Sequence, residues 1–187
     1  MSGAVKKRSG FLFGILFMLS ASLSHPAIAD DKTTFTDLQG AYIVKFARFA
    51  TWIKPDPALP ADEFIIGVVG KNPFGTLLDG KEVNNRPIRI IRFENHEETG
   101  PCHVLYINLD TKADIASCLK SLDHSGMLTV SDHPDFLTVG GMIRFVLVNV
   151  GDRQKVRWRV NAEPAGEAGI NLGMEIQRFA LKNGAGK

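Results

Sequence analysis

The sequence predicts an α/β fold, a single domain with a mainly parallel sheet flanked by helices and closed by a C-terminal antiparallel hairpin. Three observations carry this expectation. Phe64-Ile65-Ile66-Gly67-Val68-Val69 is a nearly continuous apolar run of strand length, the pattern of a strand buried on both faces. Strand-like and helix-like segments alternate from there to Ser131. Near the C-terminus two strand-like segments, residues 142–149 and 155–161, follow one another across Gly151 and Asp152 and predict an antiparallel hairpin.

The first residues read differently from the rest. Lys6, Lys7 and Arg8 precede an apolar run from Phe11 to Leu19, and small and polar residues lead to Ala27-Ile28-Ala29. That order predicts a secretory signal peptide over residues 1–29, cleaved before Asp30 and delivering residues 30–187 to the periplasm. The apolar core is shorter than the roughly 20 residues needed to span a bilayer. Losing Lys6, Lys7 and Arg8 takes the formal net charge from +2 to −1, so the apparent basicity belongs to the export signal. A near-neutral domain without a basic stripe argues against nucleic acid as a partner.

The elements follow in order. From Thr36, the positions Leu38, Tyr42, Phe46, Phe49 and Ile53 recur at helical spacing, and Thr36 with Gln39 makes a capping box. This predicts an amphipathic helix ending near Trp52, with Pro55, Pro57 and Pro60 as an extended linker. After the apolar strand, Asn72 and Pro73 predict the start of a short helix through Phe74, Leu77 and Leu78 that Gly80 closes. A second strand is expected over residues 86–93, where Ile88, Ile90 and Ile91 supply β-branched side chains, and a third over residues 102–108. Asp110 or Thr111 can cap a helix to about Leu122, and residues 127–131 are strand-like again. In the last strand Val156, Trp158 and Val160 alternate with Arg157 and Arg159, which predicts an edge position. A terminal helix from Pro164 would bury Ile170, Met174, Ile176 and Phe179, although Gly166, Gly169 and Gly173 weaken its first half.

The search for catalytic chemistry returns little. Gly67, Gly70 and Gly75 fit neither the dinucleotide fingerprint nor the phosphate-binding loop, so no nucleotide cofactor is expected. Cys102 and His103 are neighbours on a strand and point to opposite faces, which separates thiol from imidazole. His96, His103, His124 and His133 show no metal-ligand spacing. Asp132, His133 and Asp135 around Pro134 resemble an acid-base group but are equally ordinary turn-makers. No catalytic residue, metal site or cofactor is expected. Cys102 and Cys118 are the candidate pair for a disulfide, because export permits one and the strand-to-helix turn would let them meet; free thiols are the alternative.

Several segments in combination resemble the YfiR family of exported bacterial proteins. They are Arg48-Phe49-Ala50-Thr51-Trp52, Ile66-Gly67-Val68-Val69-Gly70 with Pro73-Phe74, Cys102-His103-Val104-Leu105-Tyr106-Ile107, Leu128-Thr129-Val130-Ser131-Asp132, Phe136, Gly140-Gly141-Met142-Ile143, and Val160-Asn161. The resemblance implies a non-catalytic periplasmic domain that restrains a membrane-bound diguanylate cyclase of the YfiN type. The sequence departs from the family's four-cysteine, two-bridge pattern, because only Cys102 occupies a clear family motif. A periplasmic small-molecule receptor is the alternative reading, and a homodimer is compatible with either. Two sets of residues are candidates for binding. A small ligand would sit at the carboxyl ends of the parallel strands, at Lys71, Asn72, Asn108, Ser131 and Asp132. A protein partner would meet Arg48 and Trp52 together with the loop carrying His133, Asp135, Phe136, Gly140 and Gly141.

Overall fold

The computed structural model describes residues 31–96, 98–122 and 126–182. The expected signal peptide, its cleavage point and His124 lie outside them. Helix α1 (Asp31–Phe49) leads into a short strand β1 (Ala50–Trp52). Then come β2 (Phe64–Gly70), β3 (Glu82–Val83), β4 (Arg86–Phe93), β5 (Val104–Asn108), α2 (Lys112–Ser121) and β6 (Leu128–Ser131). A 3₁₀ turn (Phe136–Val139) precedes the hairpin β7 (Ile143–Val150) and β8 (Arg153–Val160), and the chain closes with α3 (Ala162–Glu167), β9 (Ile170–Leu172) and α4 (Met174–Arg178).

The main sheet has seven strands in the order β3-β4-β2-β5-β6-β7-β8. It is mixed. The pairings β2 with β4, β2 with β5, β5 with β6 and β6 with β7 are parallel, whereas β3 with β4 and β7 with β8 are antiparallel. The β7–β8 hairpin and the edge position of β8 agree with the sequence reading; the antiparallel edge at β3 was not anticipated. It arises because Asn84 and Asn85 both adopt positive φ, 51° and 63°, the two-residue turn whose twist suits a hairpin.

Side-chain alternation along the central strands divides the interior into two cores. Phe64, Ile66 and Val68 of β2 join Val104 and Tyr106, Leu128 and Val130, Phe145 and Trp158 on the face covered by Ile43 and Phe46 of α1 and by Ile170 and Ile176. Ile65 and Val69 join Leu105 and Ile107 on the other face, under Ile115, Cys118 and Leu119 of α2 and Phe136 of the 3₁₀ turn. Thr111 caps α2 through its side chain, which accepts from the Asp114 N–H at 3.1 Å.

Three local expectations are corrected. The first helix stops at Phe49, so Trp52 belongs to β1, which pairs antiparallel with β9 (Ala50↔Leu172, Trp52↔Ile170). Residues 72–80 form turns rather than a helix: Asn72 Oδ1 accepts from the Phe74 N–H at 2.9 Å, an Asx turn, and Gly75 and Gly80 both have positive φ. The single terminal helix is broken into α3, β9 and α4, because Gly169 adopts φ +72° and Gly173 packs its Cα against the Phe49 carbonyl. Met174 and Phe179, expected in the core, are 81% and 45% exposed.

Candidate functional site

The strand order reverses between β2 and β5, since the chain leaves β2 to build β4 on one side and later returns to build β5 on the other. In open α/β sheets this is where the carboxyl ends of adjacent strands diverge and ligands bind. Here the two strand-end loops touch. Gly70 has φ +79°, and a Cβ there would collide with the Asn108 carbonyl, so only glycine allows the approach. Asn108 Nδ2 donates to the Lys71 carbonyl at 2.6 Å and laces the two loops together. Ser131 is fully buried and committed to the backbone: its Oγ donates to the Ile107 carbonyl at 2.6 Å and accepts from the His133 N–H at 3.2 Å. Asn72 keeps its Oδ1 on the Phe74 amide, while its Nδ2 is buried without a hydrogen-bond partner.

Asp132 belongs to a network that the sequence did not reveal. Gln39 of α1 is 1% exposed, and its Nε2 donates to Tyr106 Oη and to Asp132 Oδ2, each at 3.1 Å. Burial, reinforced by the Asp132 charge, pushes the Tyr106 phenol well above its ordinary range and keeps it protonated. Phe74 meets the same ring edge-on at 4.8 Å. The network ties α1 to the carboxyl ends of β5 and β6. The available signal was Gln39 itself, a polar residue in line with the apolar stripe at Tyr42, Ile43 and Phe46.

A second polar group lies at the amino end of β5. His103 is 4% exposed; its Nδ1 accepts from the Ile65 N–H at 3.0 Å, and its Nε2 stands 3.2 Å from an Arg86 guanidinium nitrogen. The imidazole stacks on Phe64, with centroids 4.4 Å apart, and Trp52 meets it edge-on. Burial first, and then the Arg86 charge, push its pKa down to about 4. Cys102 faces the opposite core, so thiol and imidazole point apart as expected.

The bridge weighed for Cys102 and Cys118 is not formed. Both are free, buried thiols that pack as small apolar groups beneath α2. Burial pushes Cys102 up to about 12 and Cys118 up to about 11, so little thiolate exists at neutral pH. Neither cysteine should therefore react with iodoacetamide in the native protein, while both react in denaturant without prior reduction. Native-state labelling at the rate of an open thiol, read by intact mass, would contradict this burial.

The partner candidates do not converge. Arg48 donates to the Glu82 carbonyl at 2.9 Å and Trp52 Nε1 to the Gly126 carbonyl at 2.7 Å, which places both near the amino ends of the parallel strands. His133 and Asp135 follow the carboxyl end of β6, where they make a turn: His133 Nδ1 accepts from the Asp135 N–H at 3.2 Å. Asp135 also lies 3.8 Å from Lys112 Nζ. Phe136 is fully buried, and Gly141 is buried over its ring with no room for a Cβ, so neither offers a side chain to a partner. Gly140 remains exposed. It helps to line a cleft of about 230 Å³ with Ala116, Leu119, Lys120, Val139, Pro164 and Glu167, none of which was among the expected ligand residues.

Among the described residues no group of three or more His, Cys, Asp or Glu side chains is placed to hold a metal ion. No helix of the described residues is long and apolar enough to cross a membrane. No curated protein matches the chain. The sequence profile described as YfiR/HmsC-like matches residues 36–180, from α1 to just beyond α4 and including every residue of the two polar networks. On that match, the chain belongs to the YfiR/HmsC-like family.

Proposed function

We propose that the domain is a periplasmic, non-catalytic regulator that binds the periplasmic region of a membrane-bound diguanylate cyclase of the YfiN type and restrains it. The observation that carries this reading is the family match over residues 36–180, nearly the whole described chain. The signal-peptide pattern of residues 1–29 supports export with cleavage before Asp30. A protein of this kind acts by binding one state of its partner better than another, and a differential of about 1–3 kcal/mol changes activity several-fold or more. No cofactor enters the scheme.

Deleting the gene should raise cellular cyclic-di-GMP and increase biofilm formation. The decisive comparison uses a strain that also lacks the membrane cyclases encoded nearby. There the deletion should have no further effect on cyclic-di-GMP, measured by mass spectrometry of cell extracts. An undiminished phenotype in that strain would overturn the cyclase reading in favour of a small-molecule receptor. The receptor reading has its own support in the buried, unpartnered Asn72 Nδ2 at the carboxyl end of β2.

A further inference from the structure

The β7–β8 hairpin carries Arg144, Arg153, Lys155, Arg157 and Arg159 against a single carboxylate, Asp152. Strand register places the five cations together. Arg144 lies opposite Arg159, Val146 opposite Arg157, Val148 opposite Lys155 and Val150 opposite Arg153, so all eight side chains share one face of the sheet. The reverse face holds Phe145, Val156 and Trp158 in the core beneath α1. On the cationic side, none of the buried residues of the second core belongs to β7 or β8. The face is therefore a basic surface in which a row of valines on β7, Val146, Val148 and Val150, runs beside the cations of β8.

Protection of an edge strand accounts for part of this, since lysine and arginine on a sheet edge discourage pairing with another chain. It does not account for Arg144. That residue is on β7, an interior strand, and sits directly opposite a second guanidinium, an arrangement that costs stability. Its terminal nitrogen donates to the Pro134 carbonyl at 2.7 Å, but its Nε is buried with no hydrogen-bond partner. Burial and the charge of Arg159 lower the Arg144 pKa, against a partial offset from the carboxylates of Asp135 and Asp132. A carboxylate laid against the outer guanidinium nitrogens of Arg144 and Arg159 would offset their mutual repulsion in the forked geometry that guanidinium favours.

We infer that the open face of the β7–β8 hairpin is the docking surface for an acidic, partly apolar segment of the protein partner, its carboxylates on the arginines and its apolar side chains on the valine row. The inference rests on the proposed function, which makes the cyclase's periplasmic region the bearer of that segment.

The test measures binding of the exported protein to the full-length cyclase held in zwitterionic nanodiscs. The triple charge reversal Arg153→Glu, Lys155→Glu and Arg157→Glu should slow association on the order of ten-fold or more, and wild-type association should slow steeply with added salt. The double variant Lys45→Glu and Arg178→Glu reverses two charges on α1 and α4, away from the hairpin face, and should leave binding unchanged. Thermal melts identify any reversal variant that fails to fold, in which case the salt dependence of wild-type binding decides alone. If wild type binds but neither reversal nor salt weakens it, the inference is overturned and the regulatory reading stands. Should wild type not bind the cyclase at all, both fall. Binding to phosphatidylglycerol vesicles without binding to the cyclase would assign the face to a membrane instead.

Discussion

Trp158→Ala is expected to destabilise the protein by about 3–5 kcal/mol, the cost of truncating a fully packed aromatic side chain. Trp158 is 3% exposed and lies in an aromatic cluster that joins the edge of the sheet to α1. Its ring is 4.9 Å from Tyr42 and 5.1 Å from Phe46, which in turn stacks 5.7 Å from Phe145. The indole N–H donates to the Ile176 carbonyl at 2.8 Å, so one side chain holds β8, α1 and α4 together. Truncation removes the packing and leaves that carbonyl without its donor. For a domain whose total stability is on the order of 5–15 kcal/mol, the loss is a large fraction. Urea unfolding should show a lower midpoint with little change in slope. Trp158→Phe keeps most of the packing and should cost about 1–3 kcal/mol, largely from the unsatisfied carbonyl. Equal losses in the two variants would mean that the hydrogen bond, and not the ring cluster, carries the site.

The residues that predicted the fold best were those whose environment is set by their near neighbours in sequence. Six consecutive buried residues from Phe64 to Val69 marked a strand covered on both faces, and β2 is the strand flanked by β4 and β5. The expected range of β4 agrees with the observed Arg86–Phe93, and Thr111 caps α2 as one of two named candidates. What failed was set by distant contacts. Ala50, Thr51 and Trp52 extend as β1 because Ile170, Asn171 and Leu172 pair with them, a separation that no local pattern reports. The apolar spacing of Ile170, Met174 and Ile176 imitated a helix, while Gly169 and Gly173 bent the chain so that Met174 faces solvent.

The candidate sites were less legible for the same reason. Asp132 was singled out for its place after a strand, but its partners Gln39 and Tyr106 come from α1 and β5. Phe136 was chosen as part of an exposed loop and proves to be the plug of the second core, because the 3₁₀ turn folds its ring inward under Gly141. The arginines of β8 were read only as the wet side of an edge strand. Their convergence with Arg144 required the register of β7 against β8, which places Arg144 opposite Arg159.

Acid should weaken the domain through His103. An imidazole with an ordinary pKa of 6.5 when unfolded and about 4 when folded is held neutral by the native structure. Between those values the unfolded chain binds the proton and the folded chain does not, so stability is complete above pH 6.5 and falls as the pH drops toward 4. The loss attributable to this one group reaches about 3 kcal/mol at the lower limit. The geometry supplies the cause. Nδ1 accepts from the Ile65 N–H, so a proton placed there would set donor against donor, and the new charge would stand beside Arg86. The damage would fall on the amino end of the sheet, where His103 also pairs through its backbone with Ile65 and Leu128. His103→Gln should lower stability at neutral pH while flattening the decline between pH 6.5 and 4 measured by denaturant unfolding. A variant whose decline matches wild type would assign the acid sensitivity to other groups and remove His103 from the account.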